Sequence, residues 1–176
     1  MSNATISRPK ADEHSEYYGR YIARVPDGDF VALLRDQFMD TTALLKDVSA
    51  DRANYAYAPG KWTIKQVVGH LMDAERVFSY RALWFARNAN TDLPGFEEND
   101  WANVANHSRR SLDDLVEEYK AVRAATVQFA KNLGADEQLR RGKANGEPIS
   151  VRALLYIIAG HERHHGAVLR ERYLTS

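Results

Sequence analysis

Apolar residues recur at intervals of three and four in four stretches of this chain, the spacing of one buried helix face. The first stretch runs from Asp29 to about Val48, with Phe30, Leu33, Leu34, Phe38 and Leu45 on its apolar side. A loop, DRANYAYAPGK, follows, and Pro59-Gly60 marks a turn. The second helix should begin at Thr63, where Thr63 and Gln66 fit a capping box. Ile64, Val67, Leu71, Ala74, Phe78 and Trp84 carry its stripe to about Arg87. Residues 88–110 have no clear period and form a long connection holding Phe96, Trp101, Glu97, Glu98 and Asp100. Such a connection is either a packed crossover or a wall over a site. The third helix starts near Ser111, with Asp113 and Asp114 in its first turn, and Gly134 stops it after Leu133. A polar connection with turn residues Asn145-Gly146 and Pro148 leads to a cap at Ser150. Val151, Leu154, Leu155, Ile158 and Leu169 then define the buried face of the last helix. No stretch reads convincingly as a strand, and no internal repeat is visible. Helices of about four to six turns each predict an all-α four-helix bundle.

Residues 1–28 are polar and tyrosine-rich, with Pro9, Pro26 and Gly28. They are expected to form an N-terminal extension, partly ordered at best, ahead of a bundle over 29–176. His14 there reads as solvated.

A chain of 176 residues suits one domain with a real core, and 44% apolar and 27% charged residues are ordinary for a globular protein. Equal numbers of basic and acidic residues, 24 each, give no electrostatic footprint for nucleic acid. No apolar run approaches the ~18 residues of a membrane span, and no secretory signal is visible at the N-terminus. Cysteine is absent, which fits a cytoplasmic protein and excludes disulfides and thiolate ligands. Any transition metal must therefore be held by His, Asp or Glu.

That constraint turns attention to His161-Glu162-Arg163-His164-His165. With Ile158 at the centre of the apolar face and about 100° per residue, His165 falls near −20°, His161 near −60° and His164 near −120°. Two histidines one turn apart thus point into the bundle, while His164 stands at its edge. Buried imidazoles need partners, and a metal would satisfy both. A third ligand could come from a facing helix. His70, on the flank of the second helix's stripe, is the one other histidine on a helix close to an apolar face; His107, in the long connection, is a weaker candidate. The same string reads as H-E-x-x-H, the zinc-protease signature. Three things oppose that reading: only Glu171 follows as a candidate ligand, there is no strand to hold a peptide, and Glu162 lies about 40° to the other side of Ile158.

Trp62-Thr63 followed by His70 within KWTIKQVVGHLMDAE, the long connection, and His161 and His165 within IIAGHERHHGAVL together resemble the DinB/YfiT-like family of metalloenzymes, the DinB superfamily. The resemblance covers residues 29–174. It implies a four-helix bundle with an unusual crossover, and a divalent metal, zinc or nickel, held by His70, His161 and His165. It also implies a homodimer, a small-molecule substrate and, in some relatives, transfer of groups to or from a low-molecular-weight thiol. Neither nucleic acid nor membrane is implied as a partner. Many members carry a Gln shortly after the last histidine; this chain has Gly166, Ala167 and Val168 there.

Three readings follow. The first is a metal-dependent transferase or hydrolase, with Asp73 as a candidate base or orienting group, Arg76 and Arg81 as candidate anion contacts, and Trp62 and Trp101 as candidate pocket walls. The second is a metal-binding protein without catalysis, a stress or binding module. The third is a bundle whose histidines merely pack.

Overall fold

Side-chain caps set where the long helices begin. In the computed structural model, which describes residues 5–89 and 91–174, Asp29 accepts hydrogen bonds from the Val31 and Ala32 N–H groups, and Ser111 and Ser150 cap in the same way. Thr63 and Gln66 form the reciprocal box. The helices are α1 (Glu16–Ile22), α2 (Phe30–Leu45), α3 (Ala50–Ala53), α4 (Ile64–Ala86), α5 (Glu98–Val104), α6 (Leu112–Lys131), α7 (Ala135–Leu139) and α8 (Val151–Val168), the last running into a π turn, Leu169–Tyr173. Helices α2, α4, α6 and α8 make the expected bundle, with α4 packed chiefly on α8 and α6, and α2 mainly on α6. Leu34, Ile64, Leu71, Leu115, Leu154 and Ile157 are among its fully buried side chains. Among the described residues no helix is long and apolar enough to cross a membrane.

Two parts differ from the sequence reading. The polar connection before α8 contains a hairpin, β1 (Arg141–Ala144) paired antiparallel with β2 (Glu147–Ser150). Its two-residue turn is Asn145-Gly146, with φ of 56° and 78°, the left-handed geometry that an Asn-Gly hairpin turn requires. Four-residue strands with so few buried positions give no alternating pattern, so the turn was the only signal. Leu93 adds to this hairpin through N–H to the Lys143 carbonyl (3.0 Å) and through its own carbonyl to the Asn145 N–H (2.8 Å), which pins the start of the long connection.

The second difference is the N-terminal segment. Ile6, Tyr21, Ile22 and Val25 are buried, and α1 lies along α8. Glu13, 2% exposed, accepts from Arg152 Nε at 2.8 Å and from the Ser150 hydroxyl at 2.7 Å. Burial opposes its charge, but the bonds from Arg152, the Lys10 N–H and Ser150 prevail and hold the carboxyl down at about 2. Gly160 allows the close approach of α1: a Cβ there would stand 2.0 Å from the Tyr21 carbonyl oxygen. Gly160→Val should therefore push α1 off α8. The expected result is faster proteolysis before α2 and a stability loss of about 1–3 kcal/mol by thermal unfolding, as for overpacked sites.

One guanidinium joins the four bundle helices. Arg123 of α6, 3% exposed, pairs with Glu75 of α4 (2.7 and 2.9 Å) and Glu162 of α8 (2.7 Å), and donates to the Leu34 carbonyl of α2 (2.8 Å) and the Tyr119 hydroxyl (3.1 Å). Gln37 of α2 also donates to Glu162. Glu162 is thus a core residue, as its wheel position indicated, and is spoken for by Arg123 and Gln37.

Candidate metal centre

His70 projects from α4 toward α8, where His161 and His165 stand one turn apart. Ligand nitrogens from the three rings lie within 4.8 Å of one another. The ring centroids are 4.8 Å apart for His70–His161, 5.0 Å for His70–His165 and 4.6 Å for His161–His165. The Nε2 atoms of His70 and His161 face each other at 3.0 Å. His70 and His161 are buried at 8% and 7% exposure, while His165 is half-buried.

Burial first, then the mutual repulsion of His161 with His165, His70 and His164, pushes the His161 ring well below its ordinary pKa. Burial and then His70 and His164 do the same to His165. Burial lowers His70 to about 4, with the Asp73 charge opposing. All three rings are therefore neutral at pH 7, the form that binds a metal. A hydrogen bond between two facing Nε2 atoms can satisfy that one pair and leaves the third ring to find its own partner. A cation between them uses all three. Tetrahedral coordination at ~2.0–2.1 Å separates ligand nitrogens by roughly 3.3 Å, so the cluster fits a divalent ion with small ring adjustments. An all-imidazole donor set suits zinc, nickel, copper or iron better than calcium or magnesium.

In the metal-free protein the same depression carries a pH signature. The unfolded chain takes up protons near 6.5, whereas folded His70 resists them to about 4. The His70 contribution to stability should be full above pH 6.5 and decline as pH falls through 4. Chemical denaturation of chelator-treated protein across that window checks this, with His70→Ala expected to flatten the slope.

The cluster sits at the wall of a cavity of about 590 Å³. The Trp62 ring lies 4.6 Å from His70 and 6.3 Å from His165, and its backbone is fixed by a 2.6 Å hydrogen bond from the Tyr173 hydroxyl. Tyr21 of α1 packs edge-on against His161 (5.5 Å) and His164 (5.6 Å). His164 is half-buried and lines the cavity without joining the three rings. Phe96, Glu97 and Glu98 of the long connection also line it, so this connection is a wall of the site. Trp101 backs Phe96 at 4.7 Å.

Other candidates lie elsewhere. His107 is buried, 3.4 Å from Asp73 and packed flat on Gly69, where a Cβ would stand 2.1 Å from its ring. Asp73 faces His107 and Arg76 (3.8 Å) and lines a neighbouring apolar groove rather than the cavity. Arg76 pairs with Glu118 (2.5 Å). His14 bonds to the Ser15 carbonyl and is not one of the three clustered rings. Sequence reading missed Tyr17, Tyr18, Arg20 and Tyr21, which complete the cavity from α1. The available signal was the i, i+4 spacing of Tyr17 and Tyr21.

Residues 33–169 match the sequence model of the DinB superfamily, and the chain belongs to that superfamily. A protein of Geobacillus kaustophilus, provisionally named a metal-dependent hydrolase, is 27% identical over 143 residues, covering 79% of each chain. An uncharacterised protein of Mycobacterium tuberculosis is 37% identical over 125 residues, 70% of this chain and 42% of that one. The structure of YfiT from Bacillus subtilis, described as a probable metal-dependent hydrolase with an unusual four-helix bundle topology, superposes with a TM-score of 0.71 at 16% identity, covering 94% of this chain and 90% of that one.

Proposed function

We propose that this protein is a metal-dependent enzyme acting on a small molecule in the 590 Å³ cavity, with His70, His161 and His165 as the ligands of a divalent ion. The observation that carries this reading is the convergence of three neutral imidazoles from two helices at the wall of an open cavity. The names of the relatives support hydrolysis. The ion, zinc or nickel in this proposal, supplies a Lewis acid that makes hydroxide or thiolate available near neutral pH.

The residues around it divide the remaining tasks. His164, lowered by burial and then by Arg24 and Arg20, is a neutral imidazole able to accept a proton at the cavity side. Burial raises the Tyr21 hydroxyl to about 12, so it stays protonated and can donate to developing negative charge. Trp62 and Phe78 give the histidine side of the cavity aromatic walls. We assign Asp73 a supporting part, through its charge beside His70 and its contact with His107, in place of a role at the reacting atoms. Where the reaction is a group transfer, the thiol must be a co-substrate, because the chain has no cysteine. We take the acting form to be a homodimer, which sedimentation at assay concentration checks.

The test is turnover by untagged, metal-loaded protein against small esters and amides, and against small thiols paired with electrophiles. Turnover abolished by a chelator and restored by zinc or nickel supports the proposal. A loaded protein that turns over none of them would be a metal-binding module without catalysis.

A further inference from the structure

Three arginines are buried among the described residues: Arg81, Arg123 and Arg152. Arg123 is neutralised by Glu75 and Glu162, and Arg152 by Glu13. Arg81, 4% exposed, has no carboxylate of the described residues within 4.0 Å. Its Nη2 donates to the Pro94 carbonyl at 2.6 Å, it interacts with the Tyr18 hydroxyl, and its guanidinium lies 5.8 Å from the Phe78 ring centre. A buried cation satisfied only by neutral acceptors is costly unless a counter-charge arrives. Arg81 lines the same cavity as the histidines.

Its place on α4 gives that charge a geometry. His70, Ala74, Phe78 and Arg81 all line the cavity, and at about 100° per residue they fall within roughly 80° of one another on one helix face. From His70 to Arg81 the helix rises about 16 Å. Ala74 leaves room beside the first histidine, Phe78 is an apolar platform 6.2 Å from His161, and Arg81 closes the far end. Arg20, stacked on Tyr17 at 3.9 Å, adds positive charge at the mouth. Glu97, Glu98 and Glu147 stand on the exposed rim, where water screens them.

We infer that the substrate is an organic acid whose reacting end meets the metal, whose apolar middle lies over Ala74 and Phe78, and whose carboxylate docks on Arg81. The planar guanidinium fork suits a carboxylate. This rests on the metal-site reading above, and the test separates the two. The probes are monohydroxamates of α,ω-dicarboxylic acids of increasing chain length, each compared with its primary amide. The hydroxamate anchors on zinc, and binding to the zinc-loaded protein is measured by calorimetry. At the length that reaches Arg81 the acid should bind about tenfold more tightly than the amide, as one charge-assisted bidentate contact allows. Arg81→Met should bring the two within about twofold without changing zinc stoichiometry or the amide's affinity. Arg81→Lys should keep part of the preference. A merely structural Arg81 would instead weaken acid and amide alike. Equal binding of acid and amide by the wild type at every length overturns the inference, even if Arg81→Met fails to fold, and so does a preference that survives Arg81→Met. Failure to hold zinc at all defeats the metal reading itself, and the inference with it.

Discussion

Alanine in place of His161 is expected to weaken divalent-metal binding by more than about 100-fold and to abolish metal-dependent turnover. Losing a group that only orients a ligand costs about 10–100-fold in affinity, and here a ligand itself is removed. His161 is the most enclosed of the three rings: its Nε2 faces that of His70 at 3.0 Å, with Tyr21 and Phe78 packed around it. Among the described residues no fourth His, Asp or Glu joins the three-ring group, and the neighbouring Glu162 is engaged by Arg123 and Gln37. The fold should survive, because the bundle's apolar contacts and the Arg123 network are untouched; helical circular dichroism checks this. His164→Ala is the matched control. It should keep the metal, since His164 lines the cavity outside the cluster.

Arg123→Met should produce the largest loss of stability. It strands Glu75 and Glu162, which are 3% and 1% exposed, and one Glu162 oxygen already lacks a hydrogen-bond partner. Breaking a buried ion pair by removing one member costs about 3–5 kcal/mol. At about 2–4 °C per kcal/mol for a chain of this size, thermal unfolding should move down by roughly 6–20 °C. Adding Glu162→Gln to the variant should recover part of the loss, because one stranded charge is removed. A single variant that melts with the wild type would show the network to be energetically idle.

The long helices were legible because their caps and their apolar periods agree: Asp29, Thr63, Ser111 and Ser150 each stand just before an apolar run. The histidine cluster was legible for a related reason. An i, i+4 pair on a buried face together with one histidine flanking a second stripe leaves few arrangements in a bundle. What escaped is what periodicity does not encode. Nothing local in the sequence marks Arg123 and Glu75, 48 residues apart, as partners. The α1 segment looked like a tail because tyrosines and arginines are polar in name, yet Tyr21 is buried with its hydroxyl accepting from Arg20, and Tyr18 is half-buried against the core. The hairpin was too short to alternate. The contact of Asp73 with His107 (3.4 Å) joins α4 to the long connection, where Gly69 leaves room for the His107 ring, and periodicity carries no sign of it.

The most direct test of the account is native mass spectrometry of untagged protein after exposure to zinc or nickel and removal of the excess. The account predicts one ion per chain, and none when His70 and His161 are both alanine. A wild-type chain that stays metal-free, or a double variant that still holds one ion, would contradict it.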